Sequence, residues 1–154
     1  MSDTSLTLLA ISDLHYTGLA RQTAQLPQQR GELALTLLKK VFLRLHHMDI
    51  KPDLAIFLGD LVENGSDRNS ELDMISLNGE MTRSGIPFLS VPGNHDGDMP
   101  AFNTRFDCQP GFREIGGYGF LLFNDSYGEN HECVRSEDDL ALTKKSRRKT
   151  PASR

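Results

Sequence analysis

Three short apolar runs, Leu6–Ile11, Asp53–Leu58 and Pro87–Val91, alternate along the chain with two stretches of helical period. Strand, helix, strand, helix, strand in this order implies a parallel sheet, because parallel neighbours need a long crossover and a helix supplies it. The runs are nearly continuous rather than alternating, which predicts strands buried on both faces. Pro52 excludes helix ahead of the second run. Between the first two runs, Leu33, Leu37, Leu38, Val41, Phe42 and Leu45 recur at three- and four-residue spacing and predict an amphipathic helix from about Gln29 to Met48. Leu72, Ile75 and Met81 predict a second over Asn69–Ser84, closed by Gly85 as its C-terminal glycine. Further on, the pattern predicts a short helix near Met99–Phe106 and a fourth strand over Tyr118–Phe123. A last helix starts from Ser136 as N-cap, with acids in its first turn and bases in its last. The fold class is α/β.

With 154 residues, of which 38% are apolar, the chain suits one soluble globular domain. Residues 1–143 are expected to form it, and the basic residues 144–154 a disordered tail. That tail holds six of the 17 Lys and Arg residues and none of the 21 Asp and Glu residues, so the body is acidic. An acidic body repels a polyanion, which argues against nucleic acid as partner, and suits a site that collects divalent metal. No apolar run approaches the ~20 residues that span a bilayer, so no membrane partner is expected. The N-terminal stretch lacks the basic region of a secretory signal, and a cytoplasmic location is expected by default. Cys108 and Cys133 are expected to be free thiols.

Each of the first three predicted strands is followed by a polar cluster: Asp13-Leu14-His15, Gly59-Asp60 and Gly93-Asn94-His95-Asp96. The carboxyl ends of parallel strands lie on one edge of a sheet, where ligands bind. Residues distant in sequence therefore converge on one crevice. The set comprises carboxylates, imidazoles and a carboxamide and contains no thiolate, which suits a cation such as Mn²⁺, Fe²⁺ or Zn²⁺. Asp13 and His15 stand two apart, so on an extended segment both side chains point the same way and reach one ion. Taken singly, an Asp-x-His is usually a loop with a capping carboxylate, and Gly-Asp after a strand is common turn chemistry. Their joint occurrence in order at three strand ends is what favours a site. His46 and His47 close the first long helix, where cations are favoured by the helix dipole, and read as structural.

These blocks, with Gly59-Asp60-Leu61-Val62-Glu63-Asn64-Gly65 as the middle one, resemble the calcineurin-like metallophosphoesterases, whose first three motifs read D-x-H, G-D and G-N-H-D/E. The resemblance covers roughly residues 6–96, and Phe120–Ser126 looks like the family's next strand. It implies an α-β-β-α sandwich and a metal-dependent phosphoesterase that hydrolyses a phosphate mono- or diester through a metal-activated water. It further implies two divalent metals, with Asp13 and His15 on the first, Asp60 bridging, Asn94 on the second, and His95 facing the substrate as the catalytic residue. Two cations about 3.5–4 Å apart can lower the pKa of a bridging water and stabilise both entering and leaving oxygens of an in-line displacement. Asp96 is placed either to orient the His95 ring or to accept the amides of its own turn.

The family's later motifs, a lone histidine and a Gly-His-x-His block, have no counterpart after His95, and the second metal site is therefore expected to be incomplete. The chain is accordingly expected to hold the N-terminal sheet and its helices, as a truncated domain or one completed by a homodimer partner or a complementary chain. His131 is the one histidine downstream and the candidate substitute ligand. The contrasting expectation is a non-catalytic module of the same fold that acts through a partner chain or dimer. Substrate selectivity would come from loops such as Thr17–Gln28 and Gly97–Gly117, whose composition names no base, sugar or lipid.

Overall fold

A computed structural model describes residues 5–18, 28–97, 99–106, 108–128 and 132–146, which fall into two compact units divided near Cys108. In the first unit, β1 (Leu8–Ile11), β2 (Leu54–Leu58) and β3 (Phe88–Val91) form a parallel sheet in the order β1-β2-β3, so the second run of the sequence is the central strand. The register pairs Ile11 with Phe57 and Phe57 with Ser90. Helices α1 (Ala34–His47) and α2 (Ser70–Arg83) form the two crossovers and touch each other, and α3 (Met99–Phe106) packs on α2. A single 3₁₀ turn, Gly31–Leu33, leads into α1.

The strands are less buried than their apolar runs predict. Ala55, Phe57 and Ser90 are buried, whereas Leu8, Ala10 and Leu58, which the register puts on the opposite face, are exposed. The central strand β2 keeps Leu54 fully buried on that same face, so the exposure falls on the edge strand β1 and on the end of β2 at Leu58.

The helices form where predicted, but their buried faces are narrower. In α1 Ala34 and Leu38 are buried, while Leu37 and Val41 are exposed. In α2 the buried side chains are Met74, Leu77 and Met81 together with Asp73 and Glu80, and Leu72 and Ile75 face out. Two acids share the inner face with the apolar residues, and Leu72 and Ile75 lie on the opposite side of the helix. Glu80 is compensated there by Arg83 and by Lys39 Nζ at 3.9 Å. Gly85, at φ +72°, reverses the chain after α2 in the left-handed conformation expected of it.

The second unit begins with a hairpin, β4 (Gly111–Ile115) and β5 (Tyr118–Leu122), paired antiparallel from Gly111–Leu122 to Ile115–Tyr118. Its turn, Gly116-Gly117, has φ +60° and +81°, the left-handed pair a two-residue hairpin turn demands. β4 forms within the stretch Gly97–Gly117 expected to be a loop, where the glycine pair is a hairpin signal. A second short hairpin, β6 (Ser126–Tyr127) and β7 (Cys133–Val134), is bracketed by Asp125 and Arg135, which join through two 2.7 Å hydrogen bonds. The Arg135 guanidinium also lies 4.2 Å from the centre of the Phe123 ring. Helix α4 (Glu137–Ser146) is capped as expected: Ser136 Oγ accepts the Asp139 amide at 3.1 Å and donates to Asp139 Oδ2 at 2.7 Å. His131 and residues 147–154 lie outside the described residues.

Candidate metal centre

Beyond the ends of β1 and β2 the two chains do not separate. Asp13 N donates to Gly59 O (3.2 Å), His15 N to Asp60 O (2.9 Å) and Tyr16 N to Leu61 O (2.9 Å), and Glu63 N returns a bond to Tyr16 O (3.1 Å). The post-strand loops are thus zipped side by side, which brings the Asp-x-His and Gly-Asp blocks to one rim. The loop after β3 is tied to the same rim. His95 N donates to Asp60 Oδ1 (3.0 Å) and Gly65 N to His95 O (2.6 Å). The Asp96 carboxylate accepts Leu61 N, Val62 N and Gly93 N at 2.8, 3.1 and 2.8 Å. Of the two roles open to Asp96, the structure therefore shows the acceptance of turn amides. Burial pushes its carboxyl above the ordinary range, opposed by the three amides and reinforced by the charge of Asp60.

The backbone at the rim is left-handed at Asp13 (φ +57°), His15 (+44°) and Asp60 (+51°). Asp13-Leu14-His15 is therefore not the extended segment that the spacing argument assumed. The side chains converge by a different route, through three residues held in a region that non-glycine residues seldom adopt. His15 Nε2 lies 3.8 Å from Asp13 Oδ1 and 3.9 Å from Asp60 Oδ2. One donor atom from each of Asp13, His15 and Asp60 falls within 4.8 Å of the others, and the same holds for His15, Glu63 and His95. His15 and His95 meet edge to face with ring centres 4.7 Å apart.

Hydrogen bonding fixes which ring nitrogens are free. His15 Nδ1 lies 3.1 Å from Glu63 Oε2 and His95 Nδ1 lies 2.8 Å from Glu63 O. A carboxylate and a carbonyl only accept, so both Nδ1 atoms carry the proton and both Nε2 atoms present a lone pair when the rings are neutral. His15 Nε2 points its lone pair toward two carboxylates, an arrangement that is unfavourable between acceptors alone and suits a cation among them. The donor set, two carboxylates and an imidazole backed by a third carboxylate, fits a divalent ion of the first transition row.

The structure thus brings together Asp13, His15, Asp60 and His95. Asn94 sits in the same turn and is exposed. Glu63, almost fully buried, is the member of the cluster to which sequence reading gave no role. Its signal was present as an acid enclosed between Leu61-Val62 and Gly65 in a strand-end loop, a place where a buried carboxylate needs a partner.

Comparison with known proteins agrees with this architecture. The model of the calcineurin-like phosphoesterase family matches residues 6–149. The chain belongs to that family. Among curated proteins, a probable glycerophosphodiester phosphodiesterase, GpdQ, of Arcobacter nitrofigilis is 37% identical over 54 residues. That stretch is 35% of this chain and spans 18% of the relative's length. No described helix is long and apolar enough to cross a membrane.

Proposed function

We propose that this chain hydrolyses a phosphate mono- or diester at a divalent-cation site formed by Asp13, His15 and Asp60, with residues 1–143 as the phosphoesterase-like domain and 144–154 as a basic tail. The observation that carries the reading is the approach of His15 Nε2 to both carboxylates, 3.8 and 3.9 Å, with its other nitrogen already committed to Glu63. Family membership supports the phosphoester as substrate. The name of the curated relative favours a diester over a monoester.

A bound cation such as Mn²⁺, Fe²⁺ or Zn²⁺ would supply Lewis acidity, acidifying water and polarising phosphoryl oxygens. The chain's own residues do the rest. Asp60, with one oxygen toward His15 and the other accepting His95 N, would be the carboxylate shared between two cations, and Asn94 would offer a neutral carboxamide to the second. Glu63 O holds His95 by Nδ1, which leaves Nε2 as the atom that exchanges a proton with a leaving alkoxide. Cys108, buried, and Cys133, exposed, are not joined in a disulfide, which supports a reducing, cytoplasmic setting.

The test is hydrolysis of a generic aryl phosphodiester with added Mn²⁺ by the wild-type chain and by Asp60→Asn. Asparagine tolerates the left-handed backbone and keeps an oxygen for His95 N, so the variant removes charge and leaves the fold. A rate at least a hundredfold lower in the variant is expected; equal background rates in both would point instead to a non-catalytic module of the family.

A further inference from the structure

Beside the candidate metal centre lies an open groove of about 470 Å³ whose wall includes Asp13, His15, Gly31 and Arg30. Arg30 is the one cation on this wall among the described residues. Its position is set by Gly31. A Cβ there would fall 2.2 Å from His15 O, so only glycine lets the 30–31 backbone rest against the loop that carries Asp13 and His15. Thr17 N donates to Gly31 O at 3.4 Å from the same loop. Arg30 Nε donates to Glu32 Oε1 at 2.5 Å, a contact that leaves the two terminal nitrogens of the guanidinium, its bidentate edge, uncommitted to Glu32. A guanidinium on the same groove wall as Asp13 and His15 has the charge and the donor fork to hold an oxyanion, such as a non-bridging oxygen of a phosphoryl group bound beside those two residues.

Resting on the phosphoesterase reading, we propose that Arg30 is a substrate-binding residue that grips a non-bridging phosphoryl oxygen. Its contribution is to affinity for the phosphate group, common to ester substrate and inorganic phosphate product.

The experiment is calorimetric titration of inorganic phosphate into the full Mn²⁺-supplemented chain, alongside KM for the aryl phosphodiester, for wild type, Arg30→Gln, Arg30→Lys and Glu32→Gln. Arg30→Gln should weaken phosphate binding about tenfold and raise KM comparably, the loss of one charge-assisted contact. Arg30→Lys should restore part of the affinity, because the charge remains and the fork is lost. Glu32→Gln should change phosphate binding by less than threefold. Wild-type affinity in Arg30→Gln would overturn the inference, as would absence of phosphate binding to wild type, or a loss in Glu32→Gln equal to that in Arg30→Gln, which would reduce the pair to a local structural contact. The two readings fail separately: phosphate bound through Arg30 without any ester hydrolysis removes the enzyme reading, and hydrolysis with an unchanged KM in Arg30→Gln removes this one.

Discussion

Gly93 and Asp60 approach so closely that neither can move alone. A Cβ at position 93 would stand 2.1 Å from Asp60 Oδ1 and 2.5 Å from Asp60 N, against the very carboxylate that faces His15. Gly93→Ala is therefore expected to displace Asp60, to cost roughly 1–3 kcal/mol of stability as overpacking does, and to weaken Mn²⁺ binding; thermal unfolding and a metal titration on the same sample check both. Glu63 acts one step further out, through His15 Nδ1. Glu63→Ala should lower metal affinity about 10–100-fold, the usual effect of removing a ligand's hydrogen-bond partner, while His95 keeps its bond to the main-chain carbonyl of residue 63. A metal titration that gives unchanged affinity would show that His15 needs no such partner. The convergence of Asp13, His15, Asp60 and His95 was legible in the sequence because three polar clusters occur in order at the ends of strands that share one sheet edge. Glu63 was not, because its role exists only after two loops are zipped together, and the left-handed backbone at Asp13 and His15 was hidden for the same reason.

At the scale of elements, existence and position of helices were readable and their buried faces were not. Hydrophobic periodicity assumes that acids face water. Asp73 and Glu80 break that assumption by turning inward on α2, and Leu72 and Ile75 turn outward in exchange. Strand β7 is exposed, and Asp125 and Arg135 join across the base of hairpin β6–β7. Arg135 holds the Asp125 carboxyl below its usual range, chiefly through the hydrogen bonds between them. A carboxylate with a depressed pKa stabilises the fold at pH above its unfolded value, and that contribution fades as pH falls through the lower, folded value. Acidification below about pH 4 should therefore loosen this hairpin. Arg135→Ala should remove the pH dependence and also the contact over Phe123. Amide exchange at Tyr127 and Cys133 as a function of pH reads the effect; equal exchange in the variant and wild type at neutral pH would mean that the pair contributes nothing.

For the whole molecule, the decisive fact is that the loops after β1, β2 and β3 share hydrogen bonds with one another as well as a sheet edge. The order of strands and helices was enough to foresee a common rim, since parallel strands end on one side. How tightly the rim is knit was not foreseeable, because it depends on the buried Asp96 carboxylate accepting amides from two loops, a contact between residues more than thirty positions apart. A cation that binds this rim and not the unfolded chain must raise stability with the logarithm of its concentration, by about 2.7 kcal/mol at a hundred times its dissociation constant.

The most direct test of the account is equilibrium dialysis of Mn²⁺ against the wild-type chain and Asp60→Asn, with circular dichroism showing both folded. Saturable binding to the wild type and at least tenfold weaker binding to the variant are expected. Equal affinity in the two proteins, or no saturable binding to the wild type, would contradict it.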